Sequence, residues 1–155
     1  MERSNSKSYI SNTKPLYTEP CHVCGFILWN PIISLAVSDL SLYNDARFKG
    51  RSILALRQHY DSWSEIEPTL INKFIADSQT AVKAIQLATG CARVNIALLG
   101  NTVSHIHLHL IPRYPKEEAN PNRSPWSDPR PQIEMGNQKT KQVIEEIKKS
   151  VSKII

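Results

Sequence analysis

His105-Ile106-His107-Leu108-His109-Leu110-Ile111 is the stretch on which the fold and the chemistry of this chain both turn. Side chains on a strand alternate between faces, so the three histidines line one face and Ile106, Leu108 and Leu110 the other. The apolar face belongs on a core. Nothing in sheet stability calls for three imidazoles in a row, so the opposite face is expected to look into a cleft. Two chemistries want such a row: metal binding through neutral imidazole, and phosphorus chemistry, where one histidine attacks and a neighbour donates hydrogen bonds to phosphate oxygens.

Working outward, residues 93–99 read as the strand before this one. Ahead of it lies the longest helical pattern: Pro68 suits a first helical position, Leu70, Ile71, Phe74, Ile75, Ala81, Val82 and Ile85 recur at helical spacing, and Gly90 supplies the stop. Short runs at 26–29, 33–37, 40–43 and 52–57, punctuated by Asn30-Pro31, Ser38-Asp39 and Asn44-Asp45, read as strands joined by turns. After the histidines, residues 112–131 carry five prolines beyond Pro112 and are expected to form an irregular loop. Val143, Ile144, Ile147, Val151 and Ile154 mark one face of a closing helix at about 137–154. The expectation is an α+β fold: an antiparallel sheet of about five strands, one central helix and a C-terminal helix. Residues 1–20, rich in Ser, Asn and Lys, are expected to be a flexible leader, and 21–155 a single domain.

Of the 155 residues 41% are apolar and 21% charged, the balance of a globular protein with a real core. No apolar run is long enough to span a bilayer, and Met1 to Pro20 lacks the apolar stretch of a secretion signal, so a cytoplasmic protein is expected. The net charge of +5 collects at the ends, in Arg3, Lys7, Lys14 and the lysines from Lys139 to Lys153. That sign suits a polyanionic ligand, and nucleic acid stays open as a partner. Of three cysteines, Cys21 and Cys24 stand two apart, which argues for a metal or a redox pair before a structural disulfide. Cys91, beside an apolar strand, reads as a small core residue.

The segment running from Gly100-Asn101-Thr102-Val103-Ser104 through the histidines to Pro112-Arg113, together with Gly50-Arg51-Ser52-Ile53-Leu54-Ala55-Leu56-Arg57-Gln58-His59, resembles the histidine-triad (HIT) family. The resemblance implies nucleotide hydrolysis or transfer: a nucleoside monophosphate leaves a phosphoanhydride or phosphoramidate through a covalent histidine intermediate. It assigns the attack to His107, phosphate contact to His109 and orientation of the nucleophile to His105. Asn101 matches a polar residue at the phosphate or leaving group, with Ser104 beside it. Asn44 and Asn95 are the candidates for ribose contact, Asn44 one residue out of register. Where many members carry a fourth histidine this chain has Arg51, which can bind phosphate but cannot exchange a proton near neutral pH. The resemblance also implies a homodimer whose sheets join, and a zinc held by Cys21, Cys24, His59 and His105. Two thiolates and two imidazoles are a donor set for closed, structural zinc, and His22 stands by.

Two other readings stay open. One is a low-turnover nucleotide- or nucleic-acid-binding sensor, prompted by Arg51 and the positive charge. The other is a zinc hydrolase with all three histidines as ligands, which would also want a carboxylate base. Trp126, in the Pro-rich segment, is a dimer contact, a substrate lid or loop packing.

Overall fold

Pro68 and Gly90 bracket the longest element as expected: α1 spans Pro68–Thr89, and Gly90 takes the left-handed conformation (φ 68°) while its N–H reaches Gln86. The computed structural model describes residues 18–155. The strands are β1 Pro31–Ser34, β2 Ser38–Leu42, β3 Ser52–Leu56, β4 Arg93–Ala97 and β5 His107–Arg113, and α2 spans Asn137–Ile154. They form one antiparallel sheet in the order β1-β2-β3-β5-β4.

Register divides the residues between two faces. Leu54 pairs with Leu40 and Leu108, whereas Ile53 pairs with Ser41 and His109, and Ala55 with His107. On the leucine side, α1 and α2 bring Phe74, Ala81, Ile85, Val143, Ile147 and Val151 against Leu40, Leu42, Leu54, Leu56, Leu108 and Leu110. Both helices therefore lie on one face, and the histidines hold the other. That second face is partly covered by the chain ahead of β1, where Leu28 packs on Ile53 and Ala55 with Phe26 and Tyr43 alongside.

Five expectations change in detail. The segment 26–29 is not a strand, because its carbonyls serve local bonds instead of a ladder: Cys21 N–H donates to Phe26 and Thr18 N–H to Leu28. Thr18 also accepts from Leu28 N–H through its hydroxyl, so the end of the expected leader is pinned; residues 1–17 lie outside the described residues. The triad strand starts at His107, because the imidazole of His105 takes the Leu56 carbonyl that a backbone N–H would otherwise use. It runs on through Pro112 and Arg113, since β3 pairing ends at Ser52↔Leu110 and leaves the proline outside that ladder. Further along the Pro-rich segment, Pro125–Ser127 forms a short 3-10 helix.

The turn expected at Ser38-Asp39 falls earlier, between Ser34 and Ser38, because α1 reaches up to hold it. The Asp77 carboxylate accepts from Ala36 N–H (3.2 Å), Val37 N–H (2.9 Å) and the Ser38 hydroxyl (2.7 Å), and Asp77 is buried. Asp77→Ala leaves the buried Ser38 hydroxyl and the part-buried N–H groups of Ala36 and Val37 without this partner. A loss of about 2–4 kcal/mol is expected in urea denaturation, and a loss below about 0.5 kcal/mol would contradict the role given to this carboxylate.

Candidate functional site

The histidine face begins with a ring that is held from behind. His107 is buried, and its Nδ1 lies 2.6 Å from the carbonyl of His105. A carbonyl only accepts, so Nδ1 carries the proton, and in the neutral ring the lone pair sits on Nε2. Phe26 lies nearly parallel to both neighbouring imidazoles, 4.7 Å from the His105 ring and 5.3 Å from the His107 ring. The His109 ring stands edge-on to His107 at 5.1 Å and to Trp126 at 5.6 Å. Burial, then the charges of His107 and Arg51, push the His109 imidazole down to about 4, so it is neutral at physiological pH.

His107 and His109 line two cavities. The larger, about 620 Å³, is walled by Phe26, Leu28, Trp29, Tyr43, Asn44 and Ile133 among others, and is mostly apolar. The other, about 390 Å³, lies under the loop from Leu99 to Val103, with Asn101 on its wall and Trp126 and Phe26 beside the histidines. Phe26 and the two histidines are common to both. Sequence reasoning missed Phe26, Tyr43 and the Gln132–Glu134 wall; the only available signal was an aromatic two residues past Cys24.

On the other side of Phe26, Cys21, Cys24, His59 and His105 bring one ligand atom each within 4.8 Å of one another. Cys21 Sγ is 3.7 Å from His59 Nδ1, and Cys24 Sγ is 3.4 Å from His105 Nδ1. Tetrahedral zinc–thiolate and zinc–imidazole bonds put sulfur and nitrogen roughly 3.5 Å apart, so the spacing fits. Both rings are turned the right way. His105 Nε2–H donates to the Leu56 carbonyl at 2.7 Å and His59 Nε2 meets the Asp61 carboxylate at 2.9 Å, which leaves both Nδ1 atoms facing the thiols. Backbone N–H groups of Cys24 and Val23 hold the Cys21 thiol down at about 6, favouring the thiolate a metal needs, while burial pushes Cys24 up. Among the described residues this is the one such cluster. The three triad histidines do not converge, because His105 faces the thiols and His107 Nδ1 faces the backbone.

Other candidates fall in different places. Ser104 donates to Asp61 at 3.5 Å, on the thiol side. Asn44 borders the larger cavity, but its amide is engaged: Nδ2 donates to Met135 O and Thr140 Oγ1, and Oδ1 accepts from Met135 N–H. Asn95 accepts from Arg113 at 2.6 Å, two residues along the sheet from the pair Ala97↔His109. Arg51 is buried, ion-paired with Asp45 at 2.8 Å and stacked on Tyr43 at 4.0 Å. Burial raises the Asp45 carboxyl, but bonds from Arg47 and Arg51 outweigh it and hold the group below its ordinary value. Cys91 is buried and free, away from this cluster.

A five-stranded antiparallel sheet with two helices on one face and three alternating histidines on the other defines a histidine-triad protein. The HIT domain family profile matches residues 37–116, over half of the chain, and the chain belongs to the HIT family. Solved structures agree on the fold. A histidine triad protein of Sinorhizobium meliloti is 22% identical with a TM-score of 0.70, covering 78% of this chain and 88% of that one. A zinc-bound histidine triad family protein of Mycobacterium smegmatis is 17% identical at TM-score 0.58, covering 80% and 84%. Diadenosine triphosphate hydrolase of Plasmodium falciparum is 19% identical at TM-score 0.51, covering 81% and 76%.

Proposed function

We propose that this protein hydrolyses or transfers a nucleoside monophosphate held in a phosphoanhydride or phosphoramidate, through a covalent intermediate on His107. The observation that carries the reading is the His107 ring: its proton is held on Nδ1 by the His105 carbonyl, and the ring lines both cavities. The base and ribose occupy the larger, apolar cavity, and the leaving group occupies the one under Asn101 and Trp126. Nε2 of His107 attacks phosphorus, a P–N bond forms, and the bond to the leaving group breaks with its electron pair. Water or another acceptor then takes the nucleotidyl group and frees the imidazole. His109 and Asn101 donate hydrogen bonds to the phosphate oxygens. The nucleotide-hydrolase name of the Plasmodium relative supports the substrate class.

Zinc on Cys21, Cys24, His59 and His105 would be structural, tying the segment before β1 to the ends of β3 and β5. The zinc-bound Mycobacterium relative and the donor set support it, and thiolate ligands suit a reducing, cytoplasmic setting. Among the described residues no helix is long and apolar enough to cross a membrane.

The test is intact-protein mass spectrometry after mixing with a panel of adenylate conjugates, namely diadenosine triphosphate and adenosine phosphoramidates. A nucleotidyl adduct on His107 is expected. Tight nucleotide binding with no adduct and no turnover would favour the sensor reading instead.

The chain is also proposed to pair as a homodimer through β4, the strand at the edge of the sheet. Ile96, Leu98 and Leu99 are exposed on or just after it, as are Ile75 and Leu87 on α1. Bare apolar edges are rare unless covered. Ile96→Lys should convert a dimer to a monomer in sedimentation velocity. Wild-type protein that sediments as a monomer at micromolar concentration would remove the interface.

A further inference from the structure

Among the described residues, two buried polar atoms on the histidine face lack a hydrogen-bond partner: Nε of Arg51 and Nδ1 of His109. Such orphans are uncommon in folded proteins, and these two are complementary. A guanidinium nitrogen only donates, and Nδ1 of a neutral imidazole accepts when the proton sits on Nε2. They are neighbours by register. Ile53 pairs with His109, so Arg51, two residues before Ile53, falls on the same face one diagonal step away. Trp126 closes over both, its ring centre 5.9 Å from the Arg51 guanidinium carbon and 5.6 Å from the His109 ring.

Arg51 is not placed to greet a ligand. It lines neither of the two cavities, it is only 6% exposed, and its position is set by Asp45 and by the Tyr43 ring beneath it. We propose that Arg51 is a positioning residue for His109, holding that imidazole neutral with its proton on Nε2, so that an N–H rather than a lone pair is offered to the substrate phosphate. This rests on the reading of His109 as a phosphate donor. The reason is geometric and chemical. A proton on Nδ1 would set N–H against the Arg51 N–H, and an imidazolium would set charge against a permanent charge. With Nδ1 bare, neither clash arises.

Few groups oppose this. His107 adjoins His109 on the same strand, and the Asp45 carboxylate behind Arg51 is engaged by Arg47 and Arg51. Tyr43, from the chain just past β2, lies under Arg51, and Glu134 is the one acid on the walls of the two cavities. The downward shift of His109 agrees in direction, with burial first and the His107 and Arg51 charges after it. A histidine in place of Arg51 could lose its charge near neutral pH; an arginine cannot.

The experiment is long-range ¹H–¹⁵N correlation of the ring nitrogens in ¹⁵N-histidine-labelled, full-length, metal-replete protein between pH 8 and 4.5. Wild-type His109 should read as the Nε2–H tautomer and remain neutral down to about pH 5. Arg51→Met should raise its protonation midpoint by about half a pH unit and admit the Nδ1–H tautomer. Arg51→Lys keeps the charge and loses the Nε donor: the midpoint should stay low while the tautomer preference is lost. This variant stands alone if Arg51→Met does not fold. A merely structural Arg51 would lower stability in both variants and leave the His109 ring unchanged, and that result overturns the proposal, as does an Nδ1–H tautomer in the wild type. The parent reading fails separately. Absence of a His107 adduct would leave these ring signals as they are, whereas normal adduct formation with an indifferent His109 sinks this inference alone.

Discussion

His107→Asn is expected to abolish turnover, by on the order of 10⁴-fold or more, while nucleotide affinity stays within a few-fold. The asymmetry comes from what the side chain does. Asparagine fills much of the imidazole's space and can still donate to the His105 carbonyl, so the wall shared by the two cavities persists. What goes is the Nε2 lone pair that the bond from Nδ1 to that carbonyl sets free. His109 cannot take over: its ring stands edge-on to His107 and to Trp126, and its Nδ1 is buried. The adduct seen with wild-type protein should vanish in the same variant, with binding followed by calorimetry. Turnover or adduct at the wild-type level in His107→Asn would mean that another group attacks the phosphorus.

The second large effect is expected at the thiols. Purified wild-type protein should hold close to one zinc per chain, and Cys21→Ser or Cys24→Ser should lose most of it, with a fall in Tm of about 10 °C or more. The size follows from topology. The four ligands come from three stretches far apart in sequence, the 21–24 knuckle, His59 after β3 and His105 before β5, so one ion closes two long loops. Losing it frees Phe26 as well, because the ring follows Cys24 by two residues and rests on His105 and His107. Cys91→Ser, outside the cluster, is the control and should keep its zinc. Metal-free wild-type protein with unchanged stability would remove the site.

The parts of this molecule that were legible in sequence are those whose signal is local and periodic. Pro68 and Gly90 mark the ends of α1 within a residue, and the apolar residues of the triad strand point to the core as alternation requires. The Cys-x-x-Cys spacing marks a candidate ligand pair, and the fold brings it beside His59 and His105. What escaped was set by partners distant in the chain. The turn between β1 and β2 sits where Asp77 of α1 can hold it, some 40 residues on. Asn44 and Asn95 look free in sequence, yet their amides answer to Met135 and Thr140 and to Arg113. Arg51 reads as a cation for a ligand until Asp45 and Tyr43 are seen around it. A long side chain shows its charge in the sequence but not its counterpart.

The two margins of the sheet are unlike. β1 is four residues long, opens on Pro31 and carries a register break between Pro31 and Ile33, whereas β4 is regular and apolar beyond its end. Proline and irregular pairing blunt an edge against further strands. Such a sheet has a stopping rule. If a second copy lays its β4 against the first, the bare margin of each is used up, and what remains at both outer ends is the blunted kind. Growth then halts at a closed, two-fold pair instead of running on as a ribbon.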